Sequence, residues 1–164
     1  MIVAIISDLH DNVRAWELFV RDVREFPVET IINCGDTVAP AMLQKMSRTF
    51  SGQIHTVFGN NADRELETTV TATLPNITQH GDRGAVHLVN RRIGFVHYPE
   101  VADSMAATGE FDLVCHGHTH FKRWEKIGSC YILNPGTLGG MFQYPSWATV
   151  DLTTLSHEFH ELHI

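Results

Sequence analysis

Three short apolar segments, residues 2–6, 29–33 and 53–58, alternate with two amphipathic stretches, and this rhythm narrows the possible folds sharply. In the first stretch Trp16, Phe19, Val20 and Val23 recur at helical spacing, with Arg21, Asp22, Arg24 and Glu25 on the other face and Pro27 as the stop. A second helical pattern covers residues 41–50. Strand, helix, strand, helix, strand implies parallel pairing in a sheet covered by helices. Ligands of such sheets bind beyond the carboxyl ends of the strands.

The second half reads differently. Residues 84–89, 92–96, 113–115, 121–126, 129–133, 147–152 and 156–163 look like strands joined by short turns, and only residues 100–108 suggest a helix. They predict a second, predominantly antiparallel sheet packed on the first. The expected fold class is therefore α/β, a layered α-β-β-α sandwich of two mixed sheets flanked by helices. Residues 61–80 fit least well; their Thr-rich stretch ending at Leu74-Pro75 reads as a helix followed by a mobile loop over the site. With no internal repeat or linker, 164 residues are expected to form a single domain over residues 1–164.

Apolar residues make up 43% of the chain and charged residues 19%, which excludes a disordered or coiled-coil protein. Twelve basic against nineteen acidic residues give a net charge of −7, a poor match to nucleic acid, whose binding depends on Lys and Arg releasing counterions. There is no basic leader and no apolar run near the length of a membrane span, so a soluble cytoplasmic protein without a membrane partner is expected. Oligomeric state is left open. Cys34, Cys115 and Cys130 are odd in number and lack C-x-x-C spacing, and are read as buried core residues.

Where the apolar segments end, potential metal ligands begin. Asp8-Leu9-His10 follows the first, Gly35-Asp36 the second, Gly59-Asn60 the third, His97 the segment 92–96, and Gly117-His118-Thr119-His120 the segment 113–115. Each piece alone is ordinary turn chemistry or chance. Together, Asp8, His10, Asp36, Asn60, His97, His118 and His120 give seven ligand-type side chains on one predicted rim. Mixed carboxylate and imidazole donors suit manganese, iron, zinc or nickel rather than a structural thiolate zinc site. Two divalent ions against two carboxylates leave a locally cationic centre that attracts a phosphate ester.

In order and placement these residues resemble the calcineurin-like metallophosphoesterases, most closely their small single-domain bacterial and archaeal phosphodiesterase branch. The resemblance runs from Asp8 to the turn Asn134-Pro135-Gly136. It implies one metal held by Asp8, His10 and His120, a second by Asn60, His97 and His118, and Asp36 bridging both, with Asp36, Asn60, His97 and His118 as the catalytic positions. It further implies two divalent ions as cofactors, manganese first with nickel, iron or zinc as alternatives. The expected reaction is hydrolysis of phosphodiester bonds in small or nucleotide-like substrates by a metal-activated water. A protein-binding scaffold is the alternative, since a retromer subunit resembles this fold. A nuclease is a third reading, and the chain has no evident basic track for one.

The chain also departs from the pattern. Asn61 stands where many of the wider superfamily have a leaving-group His, and Tyr98-Pro99 follows His97 where Gly is common. Asp63 reads either as a helix cap or as an outer support of the site. His55, His80, His87, His157, His160 and His163 are read as structural or solvated. His116 is a candidate to orient a ligand.

Overall fold

The computed structural model describes residues 1–163. Its first sheet contains β1 (Ile2–Ile6), β2 (Val28–Asn33), β3 (Gln53–Thr56), β4 (Ile77–Gln79), β10 (Ser146–Asp151) and β11 (Ser156–Glu161), in the order β11-β10-β1-β2-β3-β4. The second contains β5 (Arg83–Leu88), β6 (Arg91–Val96), β7 (Leu113–Cys115), β8 (Lys122–Ile127) and β9 (Cys130–Pro135), in the order β5-β6-β7-β9-β8. The four helices among the described residues are α1 (Val13–Val23), α2 (Pro40–Thr49), α3 (Arg64–Thr71) and α4 (Pro99–Ala107).

Strand alternation builds the layers. Along β1, Val3 and Ile5 join the core between the sheets, while Ala4 and Ile6 face α1 and α2. Strand β7 does the same on the other side: Leu113 and Cys115 face the first sheet and Val114 faces α4. Both faces of both sheets are thus buried over much of their area, as an α-β-β-α sandwich requires. Helix α1 begins at Asn12, whose side chain accepts from the Ala15 N–H at 3.0 Å. It buries Trp16, and the indole N–H donates to Thr49 Oγ1 of α2 at 2.8 Å.

Register places the site. Ile6 pairs with Asn33 and Asn33 with Thr56, so β1, β2 and β3 end level. In the second sheet Phe95, Cys115 and Leu133 are aligned in the same way. The loops leaving these ends carry the seven candidate ligands.

The structure corrects three expectations. β10 pairs antiparallel with β1 and β11 antiparallel with β10, so both close the edge of the first sheet and do not join the second. The second sheet is not predominantly antiparallel, because β6-β7 and β7-β9 are parallel and only β5-β6 and β8-β9 are antiparallel. The predicted mobile loop before residue 80 is instead the end of α3 followed by β4, whose three residues are too few to show a period. All three cysteines are free and buried.

Candidate metal centre

Five of the seven candidate ligands have left-handed backbone: Asp8 at φ 54°, His10 at 46°, Asp36 at 55°, His118 at 69° and His120 at 63°. Such conformations are costly for residues with a Cβ, and they persist where the surroundings over-determine them. Backbone bonds do so here: the Asp8 N–H donates to Gly35 O, the His10 N–H to Asp36 O and the Gly117 N–H to His97 O, at 3.0, 3.0 and 3.1 Å. Two glycines are required by close approach. A Cβ on Gly59 would overlap the Asp36 carboxylate, and one on Gly117 would overlap Ser7 and crowd Asp8.

Asp8, His10 and His120 bring one ligand atom each to within 4.8 Å of one another, and so do Asp8, Asp36 and His97. His120 Nδ1 lies 2.9 Å from Met141 O, which only a protonated nitrogen can satisfy, so in the neutral ring Nε2 carries the lone pair. That Nε2 faces Asp8 Oδ1 at 3.2 Å and His10 Nε2 at 3.3 Å. Asp8 Oδ1 is fully buried and receives no hydrogen bond. Acceptors facing one another around an orphaned buried carboxylate oxygen fit a cation and are costly without one.

The other half repeats this logic. His97 Nδ1 lies 2.9 Å from Cys34 O, which leaves Nε2 as the acceptor in the neutral ring. It lies 2.9 Å from Asn60 Oδ1 and 3.6 Å from Asp36 Oδ2. His118 Nδ1 also lies 2.9 Å from Asn60 Oδ1. Asp36 Oδ2 is 3.8 Å from His10 Nε2, so this oxygen stands between the two groups. The donor set of oxygen and imidazole nitrogen fits divalent transition metals. Asn60 and His118 are exposed, whereas Asp8, Asp36, His97 and His120 are buried, so the cluster opens at Asn60 and His118.

Several supports had no signature in the sequence. Asn61 donates from both its backbone N–H and its side-chain amide to the Asp36 carboxylate, at 3.0 and 2.8 Å. The orienting carbonyls of Cys34 and Met141 belong to residues whose type says nothing of the role. Asp63 caps α3 by accepting from the Leu66 N–H at 3.1 Å. His116 is buried, with Nδ1 3.0 Å from Gly117 O and Nε2 3.3 Å from the Arg123 guanidinium; burial lowers its pKa to about 4. Asn134 donates to Gly117 O and Thr119 Oγ1 at 2.9 and 3.0 Å, which braces the loop bearing His118 and His120. Glu67 of α3 is buried with Oε1 unpartnered, and burial, reinforced by the charges of Asp36, Asp11 and Asp63, raises its pKa to about 8. His55 and His80 pair with each other at 3.0 Å, while His157 and His160 stack on Trp124 and Trp147. His87 and His163 are exposed.

A family model described as the calcineurin-like phosphoesterase superfamily domain matches residues 1–155. The chain belongs to that superfamily. A phosphodiesterase of Methanocaldococcus jannaschii is 26% identical over 145 residues, covering 85% of this chain and 86% of its own. Among solved structures, an archaeal phosphodiesterase superposes with a TM-score of 0.91 at 23% identity, over 99% of this chain and 100% of that one. A Vps29 from Entamoeba histolytica solved with zinc gives 0.69 at 19% identity, over 99% and 98%. At these identities the structural likenesses speak to fold.

Proposed function

We propose that this phosphoesterase hydrolyses phosphodiester bonds of small or nucleotide-like substrates at a binuclear metal centre. In this reading Asp8, His10 and His120 hold one divalent ion, Asn60, His97 and His118 hold the other, and Asp36 bridges them. The observation that carries it is the buried, unpartnered Asp8 Oδ1 with His120 Nε2 3.2 Å away, the other nitrogen of that ring being turned to Met141 O. The position of Asp36 Oδ2 between His10 and His97 supports the bridge. Bound ions of this kind supply Lewis acidity and an activated water nucleophile.

The protein's own part is positioning. Met141 and Cys34 carbonyls fix the two buried imidazoles with their lone pairs inward, and Asn61 fixes the plane of the Asp36 carboxylate. Asn60 and His118, at the mouth, face an incoming phosphate. Manganese is the proposed resident metal, with nickel, iron or zinc as competitors of similar donor preference. No helix among the described residues is long and apolar enough to cross a membrane. The three free thiols suit the reducing cytoplasm, which we propose as the site of action.

A panel of nitrophenyl mono- and diesters, assayed with chelator-stripped protein and each metal restored in turn, tests the reading. Diester turnover that chelation abolishes and manganese restores is the expected result. A protein that holds two ions yet hydrolyses no phosphoester would instead support the scaffold reading, which the likeness in fold to Vps29 keeps in view.

A further inference from the structure

Of the four Phe and Tyr side chains left exposed among the described residues, Tyr98 stands at His118, while Phe121, Phe142 and Tyr144 stand beside His120. Tyr98 lies against the His118 ring with centroids 4.9 Å apart, and Phe142 against the His120 ring at 5.7 Å. Phe121 follows His120 directly. Phe142 and Tyr144 are 85% and 81% exposed, and Phe121 60%. Single exposed apolar side chains such as Tyr98 need no explanation, but Phe121, Phe142 and Tyr144 gathered beside His120 among polar residues mark a place where something binds.

Beside His120 this group borders a recess of about 300 Å³, lined by Phe121 and Tyr144 together with Lys122, Gln143 and Glu161. Its lips are flat rings and its wall is polar. Lys122 Nζ is bonded to Glu161 at 2.5 Å, so its charge is already matched and is not held ready for a second phosphate. Ammonium, carboxylate and amide side by side offer donors and acceptors to the edge of a ring stacked on the aromatic lips. A phosphodiester has two ester arms, and because His120 itself lines this recess, an arm that left the metal centre past His120 would meet it.

Resting on the phosphodiesterase reading, we propose that the recess beside His120 is a nucleobase subsite and that the substrate class is a phosphodiester of a nucleoside. Aromatic rings accept any base through its face, and the polar wall then selects among bases. A long strand is not the fit, because the recess is small, about 300 Å³, and the chain is acidic, with a net charge of −7.

Two esters with the same leaving group and charge test this: the para-nitrophenyl ester of thymidine monophosphate, and methyl para-nitrophenyl phosphate. With the manganese-loaded protein, kcat/KM should favour the nucleoside ester by roughly 5- to 140-fold, the range that stacking of one base supplies. Tyr144→Ala should collapse that ratio, and Tyr144→Phe should keep it. The corresponding ester of deoxyribose phosphate without a base should behave like the methyl ester. Equal kcat/KM for all three, or a preference untouched in both Tyr144→Ala and Phe121→Ala, overturns the subsite. If the loaded protein hydrolyses neither ester, the phosphodiesterase reading fails, and calorimetry judges the subsite separately. Thymidine monophosphate should then bind more tightly than deoxyribose phosphate, by a margin that Tyr144→Ala removes; equal binding, or none, overturns it.

Discussion

Asp36 is gripped at three points. Its carbonyl accepts from the His10 N–H, and its carboxylate accepts from the backbone and the side chain of Asn61. Asp36→Asn preserves the shape but removes the charge and sets one amide against another. Activity should fall by more than about 100-fold, beyond what losing an outer partner usually costs, and both ions should be held more weakly while circular dichroism stays native. Two tightly held ions with near-normal turnover would show that Asp36 is no bridge. Asn61→Ala leaves the carboxylate in place but frees it to rotate, and should cost roughly 10–100-fold in metal affinity or turnover. The Asn61 amide does not ionise near neutral pH and so is not an acid for the leaving oxygen, and general acid help is worth about 10²–10⁴-fold where it exists. Aryl diesters should therefore be cleaved far faster than alkyl diesters. Similar rates on both would reveal an unrecognised proton donor.

At the scale of elements, α3 is the informative one. Its cap is an ordinary one, and Asp63→Ala should lower stability by about 1 kcal/mol, read as a shifted urea midpoint. Its buried face carries Glu67, which in the folded, metal-free protein keeps its proton up to about pH 8, whereas an ordinary carboxyl has a pKa of 4.5. The unfolded chain therefore loses the proton first as pH rises. The contribution of protonated Glu67 is complete below the ordinary value, declines as pH climbs, and is gone above the folded value. Urea titrations of metal-free protein should show wild type losing about 2–4 kcal/mol relative to Glu67→Gln between acid and mildly alkaline pH. Parallel pH profiles for the two would mean that Glu67 is ionised in the fold. The sequence hid such features unevenly. Helix α1 was legible because Trp16, Phe19, Val20 and Val23 form one stripe, and the loops with Asp8, Asp36 and His97 were legible because each follows an apolar strand. The pairing of β10 with β1 was not, since alternation tells which face a residue takes and not which neighbour the strand chooses. Glu67 was not, because a charged residue in a helical pattern reads as solvent-facing until the packing of β4 beneath it is known.

For the whole molecule, the same sheet geometry that aligns the strand ends concentrates unmatched acceptors at one rim. Packing two sheets with level edges brings Asp8 and Asp36 from one sheet against His97 and His120 from the loops of the other, and buries all four. Strain at the five left-handed ligand residues and the orphaned Asp8 Oδ1 are costs borne by the metal-free fold, and the apolar layers on either side of the sheets sustain them. Metal binding is then linked to folding, because the unfolded chain has no assembled site. Divalent metal at a hundred times its dissociation constant should add about 2.7 kcal/mol of stability per site. For a chain of this length each kcal/mol moves the melting temperature by about 2–4 °C. Manganese should therefore raise the melting temperature of chelator-stripped protein by roughly 5–10 °C if one site fills, and by more if two do. Asp36→Asn should remove most of that rise, because the one carboxylate proposed to serve both ions is gone. Tyr144→Ala, which alters the proposed substrate recess alone, should retain it in full. A melting temperature indifferent to manganese, nickel, iron and zinc alike would mean that the converging acceptors do not form a metal site in solution.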